Sequence, residues 1–406
     1  AGLYFDASSL IAVNSPEQRV VCSRARVSGL EVLRAGSADQ PVLAKSGDNL
    51  RIDWGHLYVA VPAGAGSFTL ITSQRTRAAW AGSGQWPDSD ELDLATASPR
   101  NQYVLAARFD LPGVAATPVV RRLMLAYDDQ FSIQYFQRNL RPWWRRNGAS
   151  VVDLLKSADA DYLSLAERCR RFDDELTADL AGAGGPRYAQ IAILAYRQAI
   201  AAHKLVADID GTPLFFSKEN FSNGCIGTVD VTYPSAPQFL LLNPTLAKAL
   251  LTFIFQYAAL PRWRFPFAPH DIGQYPLANG QVYGGGEVSE QDQMPVEESG
   301  NLILLTAAVA QAEGNAEYAR RHWDLLTRWA EYLRDKGMDP ENQLCTDDFA
   351  GHLARNTNLS LKAILALAAY GRMASLLGMT DVAARYQTLS RDFARKWVEM
   401  AGDGDH

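Results

Sequence analysis

The chain divides by the rhythm of its apolar residues. Up to about residue 140 they fall in short β-prone runs at 67–72, 103–109, 119–127 and 131–136, set apart by turn residues at 64–66 and 110–113. Strand runs with no helix between them predict an antiparallel sandwich. From about residue 153 the period becomes helical. Residues 302–309 and 359–370 are apolar nearly all the way round, as a helix buried on every side must be. Each precedes an amphipathic partner. Ala319, Trp323, Leu326, Ala330 and Leu333 recur at helical spacing, as do Val382, Tyr386, Leu389, Phe393 and Trp397.

Gly314 and Gly378 stand where the first helix of each pair should end, and their separation of 64 residues marks a weak hairpin repeat. Patterns over 153–180, 186–206 and 237–259 fit the same scheme. An apolar helix followed by an amphipathic one predicts a toroid, its inner helices packed on both sides and its outer helices facing water on one. The expectation is therefore an α+β multidomain protein, with an antiparallel β-sandwich over 1–150 and an (α/α) toroid of helical hairpins carrying the chemistry over 151–406. Seven or eight helices fall short of the twelve of a six-hairpin ring. The toroid is accordingly expected to be incomplete: either the ring is open, or a missing C-terminal segment or a second fragment completes it.

Composition narrows the partners. A content of 48% hydrophobic and 21% charged residues is that of a globular chain. The net charge of −6 argues against a nucleic-acid backbone as partner. Arg138, Arg141, Arg145 and Arg146, interleaved with Trp143 and Trp144, read better as a packed linker with cation–π contacts. No run approaches the ~18 apolar residues of a membrane span, so no membrane partner is expected. Because the chain opens on Ala1, processing stays open; a secreted or periplasmic setting is the favoured reading, without fixing localisation. Cys22, Cys169, Cys225 and Cys345 match no zinc or redox spacing and are expected to be free thiols.

Three long connections, 208–234, 261–295 and 337–357, each exceed ~15 residues, a length that in a compact domain usually serves function. All three precede an inner helix, so they should converge on one end of the toroid. The first brings Lys218, Glu219, Asn220 and Asp230; the second His270, Asp271 and Asn279, and ends at Glu297-Glu298 and Asn301; the third Asp347, Asp348, His352 and Asn356. Carboxylates, amides and imidazoles mixed with glycine suit a polyhydroxylated or amide substrate. Crowded carboxylates push one proton affinity up, leaving an acid and a base at the same pH.

Each candidate also has a structural reading. Asp347 and Asp348 could form a turn or cap, and Glu297 or Glu298 could complement a helix dipole. Asp230 reads equally as a turn residue. His270-Asp271 has the look of a metal-dependent phosphohydrolase pair, but no further histidines stand at suitable positions, so no metal is expected. Glu287, Glu290 and Asp292 read as a solvated loop or a calcium patch. Trp263, Tyr275 and Tyr283 read as stacking platforms or as loop packing. No nucleophile elbow is visible, Ser299 and Cys345 lack a paired base, and 284–286 lacks the Lys-Ser/Thr of a phosphate loop.

The stretch 215–371 resembles the glutaminase A-like six-hairpin family in FFSKENFSNGCIGTVDVTYPSAPQF, FAPHDIGQYPLANGQVYGGG, MPVEESGN and DPENQLCTDDFAGHLARNTNLS. LAYDDQFSIQYFQRNLRPWWRR is similar to the end of that family's amino-terminal β domain, here partial. The resemblance implies a hydrolase acting without a cofactor on the side-chain amide of L-glutamine or a similar small amide. In that reading Asp347 or Asp348 is a general base on water and Glu297 or Glu298 a general acid. Asp230, His270, Asp271, Asn279, Asn301, His352, Asn356, Lys218, Glu219 and Asn220 would contact substrate. Two alternatives stay open: a glycoside hydrolase using the same carboxylates on a saccharide, and a non-catalytic carbohydrate-binding protein.

Overall fold

A computed structural model describes residues 1–64, 66–92, 102–113, 116, 118–219, 222–346, 351–402 and 404. The chain forms two compact units. The first comprises Ala1–Lys45, Asn49–Ser132 and Arg141–Gln190; the second Ser46–Asp48, Ile133–Leu140 and Ile191–His406.

The first unit holds β1 (Gly2–Ser8), β2 (Val20–Val27), β3 (Leu30–Ser37), β4 (His56–Pro62), β5 (Ser67–Ser73), helix α1 (Arg75–Ser83), β6 (Tyr103–Asp110) and β7 (Met124–Asp128). They make two antiparallel sheets, β1-β6-β5 and β2-β3-β4-β7. Alternate residues of each sheet meet in one core: Leu33, Leu57, Val59 and Val61 against Ile71, Leu105, Ala107 and Phe109. Two period-two faces sharing a core are a β-sandwich. The other face of the second sheet packs Leu30, Val32, Tyr58 and Ala60 on Leu155 of helix α2 (Val151–Ala201). That contact draws the start of α2 into this unit, so its boundary lies later than residue 150. Gly185, at φ 83°, interrupts α2 just before Pro186. Arg145 and Arg146 lie over Trp144 and Trp143 at 4.7 and 4.5 Å, and Arg145 pairs with buried Asp128, so this basic run is engaged in packing.

The second unit opens with β8 (Ile133–Tyr135) and β9 (Arg138–Leu140). Where the helical pattern predicted a helix to 206, the chain instead forms a hairpin of β10 (His203–Ala207) and β11 (Pro213–Ser217), turned at Gly211. The helix expected over 237–259 is two, α3 (Val229–Leu242) and α4 (Pro244–Ala258). They break at Asn243, whose side chain accepts from Leu246 N while Pro244 takes the first helical position. There follow β12 (Leu277–Ala278), α5 (Pro295–Glu313), α6 (Glu317–Arg321), α7 (Trp323–Lys336), α8 (Thr357–Leu376) and α9 (Thr380–Ala401).

Helices α3, α5 and α8 pack side by side, each backed by its partner α4, α7 or α9. Leu302, Ile303, Leu305 and Val309 bury several faces of α5, whereas α7 buries one stripe, Leu325, Leu326, Trp329, Ala330 and Leu333. The inner–outer order anticipated from hydropathy is thus present in the α5–α7 and α8–α9 hairpins, whereas in the α3–α4 pair the second helix is the more buried. Gly314 closes α5 in the left-handed region at φ 67°, where L side chains are strained. Among the described helices, α8 alone is long and apolar enough to cross a membrane; here more than half of it is buried within the hairpins.

Candidate active site

Each residue of the first turns of α5 has a legible task. Pro295 opens the helix where no N–H is needed. Glu297 and Glu298 follow in the first turn, where the helix dipole favours anions, yet both are 0% exposed. Ser299 Oγ accepts from Ala268 N at 3.1 Å, fixing the preceding loop. Gly300 leaves a lane for Lys362, in the second turn of α8. Asn301 Nδ2 donates to Glu297 Oε1 at 3.0 Å and to Glu298 Oε2 at 3.1 Å, and its Oδ1 accepts from Lys362 Nζ at 2.7 Å. Glu297 Oε1 also accepts from Thr346 Oγ1 at 2.6 Å and ion-pairs with Lys362.

A Cβ on Gly300 would stand 2.8 Å from Lys362 Cγ. Overpacking typically costs about 1–3 kcal/mol, which outweighs the ~1 kcal/mol that alanine gains in a helix. Gly300→Ala is expected to lose about 1 kcal/mol net in urea unfolding. A variant more stable than the parent would show that the lane is not filled.

The twin glutamates differ electrically. Burial, then the Asp230 and Glu297 charges, push the Glu298 carboxyl well above the usual range, against Asn301 and Lys362. Among the described residues, Glu298 Oε1 and Glu297 Oε2 are buried without a hydrogen-bond partner. Asp230, in the first turn of α3, stands with His270 beside Glu298: one polar atom of each lies within 4.8 Å of the others. His270 Nδ1 meets Asp271 Oδ2 at 3.0 Å, and its ring stacks on Tyr283 at 4.0 Å, leaving Nε2 toward Asp230 Oδ1 at 3.7 Å. Burial opposes charge on His270, but the Asp271 hydrogen bond and the Asp271, Asp230 and Glu219 carboxylates outweigh it, so its pKa is raised. Asp271 is itself anchored by the N–H groups of Gly273, Val282 and Tyr283 at 2.8, 3.0 and 3.2 Å. Burial pushes the Cys225 thiol up, which leaves little thiolate for nucleophilic work.

The arrangement combines a buried acid, a held carboxylate and an oriented imidazole, a set suited to proton transfer. The spacing of Asp230, His270 and Glu298 is one a cation could also bridge.

The remaining sequence-derived candidates scatter. Asp347, Asp348 and Asn220 lie outside the described residues. Glu219 Oε2 accepts from Thr228 Oγ1 at 3.2 Å, on the His270 side of the cluster. Lys218 donates to Asp48 O at 2.6 Å and covers the Tyr275 ring. Asn279 donates to Gln134 Oε1 and accepts from Gln137 N, tying β8 and its turn. Asn356 caps α8 by accepting from Asn358 N and Leu359 N. Exposed His352 stands 3.7 Å from Asp292, not at the glutamates. Trp263 is core packing, its Nε1 donating to Phe267 O. Glu287 pairs with Arg262 and accepts from Tyr257 OH. Sequence reasoning missed Lys362 and Thr346. Lys362 had a readable signal, a lone cation in the apolar run 359–370, which a buried helix tolerates only with a partner.

Comparison with known proteins agrees with this arrangement of domains. Residues 185–406, more than half of the chain, match the glutaminase A six helical-hairpin domain, and residues 2–179 match a domain of unknown function, DUF5127. Glutaminase A of Aspergillus oryzae (strain ATCC 42149 / RIB 40) is 31% identical over 369 residues, covering 89% of this chain and 52% of that protein. A probable glutaminase of Arthroderma benhamiae (strain ATCC MYA-4681 / CBS 112371) is 24% identical over 426 residues, covering 88% of this chain and 49% of its own. The chain thus spans about half the length of the curated relatives it matches. Among solved structures, a bacterial glucoamylase complexed with acarbose aligns at TM-score 0.40 and 9% identity, over 93% of this chain and 55% of its own. By the match of its helical unit, this chain belongs to the glutaminase A six-hairpin family.

Proposed function

We propose that the chain is a metal-independent hydrolase of a small amide, with Glu298 as general acid and the side-chain amide of L-glutamine as substrate. The observation that carries this reading is Glu298 itself: fully buried, its proton affinity raised, one oxygen without a partner among the described residues. A carboxyl held protonated at neutral pH is what donation to a leaving nitrogen needs. The glutaminase names of the relatives support the substrate class.

In this mechanism water adds to the amide carbonyl and gives a proton to a base. The carbon–nitrogen bond breaks as Glu298 protonates the nitrogen, and the base's proton returns to Glu298 after ammonia leaves. We assign the base to Asp347 or Asp348. They directly follow Thr346, whose hydroxyl donates to Glu297. His270, oriented by Asp271, supplies a donor for the developing oxyanion.

The test is ammonia release from L-glutamine beside nitrophenol release from aryl glycosides, each with and without a chelator. Ammonia release that survives the chelator is the expected result. Nitrophenol release instead would transfer the acid to a glycosidic bond, and loss on chelation would put an ion between Asp230, His270 and Glu298. Neither product would leave the cluster a binding site.

A further inference from the structure

Two adjacent glutamates on one helix turn are chemically identical, and something must give them different tasks. We propose that Lys362 is the positioning residue that does so: its ammonium holds Glu297 as an anion, so the proton stays with Glu298. The inference rests on the proposed role of Glu298.

The geometry is one-sided. Lys362 ion-pairs with Glu297 Oε1 and donates to Asn301 Oδ1 at 2.7 Å, while the Tyr233 ring lies 4.5 Å from Nζ. Two of the ammonium's three N–H bonds are thus met by Glu297 and Asn301, and the Tyr233 ring faces the charge. Lys362 also fixes the Asn301 amide. With its oxygen committed to the ammonium, the NH2 must face the glutamates, one hydrogen to each. Among the described residues, Glu297 Oε1 thereby collects donors from Lys362, Asn301 and Thr346, whereas Glu298 receives one, from Asn301. Donors favour the charged form of the group that accepts them.

The other charges facing Glu298 act oppositely. Asp230 of α3 and Glu297 of α5 disfavour a second anion, and Lys362 of α8 is the cation that offsets them. His270 approaches from the preceding loop with Asp271 behind it. Packed on the same helix, α4 and α7 are not among the leading sources of charge on Glu298, and Lys248 of α4 pairs with Glu313 at the far end of α5.

The experiment reads carboxyl protonation directly, by infrared spectroscopy of the full chain at neutral pH. In the Lys362 parent, a protonated-carboxyl band should vanish in Glu298→Gln and persist in Glu297→Gln. In Lys362→Met, a band that Glu297→Gln removes should appear. In step, ammonia release at neutral pH should fall by about tenfold or more, because the proton that the leaving nitrogen takes is no longer held on Glu298. Lys362→Arg, which keeps the charge, should restore both readouts toward the parent. Should the methionine variant fail to fold, Lys362→Gln is neutral but polar and serves the same comparison.

The proposal is overturned if neutral variants keep the parent's band assignment and rate of ammonia release, or if arginine behaves like methionine. The expected bands without ammonia release would sink the hydrolase reading and leave the Lys362 assignment standing.

Discussion

Replacing Glu298 by Gln is expected to reduce ammonia release by about 100- to 10,000-fold, the range over which positioned general acids act. The same change should raise stability at neutral pH. Burial lifts the folded-state pKa of Glu298 well above its ordinary value of 4.5. The contribution of Glu298 to stability is therefore complete below that value, where folded and unfolded chains both hold the proton. It is lost as pH rises toward the folded pKa, because the unfolded chain releases a proton that the fold retains. Glutamine cannot ionise and lacks that loss. Urea unfolding of parent and variant at pH 4 and pH 8 would check it: the variant should gain relative to the parent only at the higher pH. Equal ammonia release in both proteins would remove Glu298 from the chemistry. A variant less stable than the parent at pH 8 would mean that the carboxyl is not the burdened group described here. Gain of stability with loss of turnover is the usual signature of a site kept strained for function.

Asp271→Ala should be the more damaging change to the fold. Asp271 is fully buried and accepts from three backbone N–H groups besides contacting His270 Nδ1. A buried donor stripped of its acceptor costs about 1–3 kcal/mol, so several together are expected to lower stability by about 3–5 kcal/mol. Asp271→Asn keeps the volume and part of the accepting capacity and should cost less. It also removes the charge that holds the His270 pKa up, so the imidazole should titrate at lower pH, which NMR of the ring would read. A normal melting profile for the alanine variant would show that water replaces the lost acceptor.

The two units differ in how much of them was readable. Strands β5 and β6 were plain from period-two runs between turn residues, but β1 to β4 passed unnoticed. Their alternation becomes meaningful only when the facing sheet supplies the other half of the core. Helices α5 and α8 were plain because a helix packed on all sides must be apolar all round. Strand β10 was misread as the end of a helix because 186–206 carries helical spacing almost to its end. The ladder that competes for the backbone comes from residues about ten positions later. At the site, convergence of the loops was expected from their place before inner helices; Asp230 and His270 stand beside Glu298, and Thr346 meets Glu297. Asn279 and His352 were drawn in by residue type alone, and the fold directs them elsewhere.

Hydrophobic period and turn chemistry, both local, determined by themselves that this chain would pair a sandwich with helical hairpins, and which helix of the α5–α7 and α8–α9 pairs would be interior. Tertiary structure alone decided that the Glu298 carboxyl holds its proton more tightly than a free glutamate. Proton affinity depends on burial and on charges brought from α3 and α8, separated from Glu298 along the chain by 60 residues or more, and no reading of the motif itself contains them.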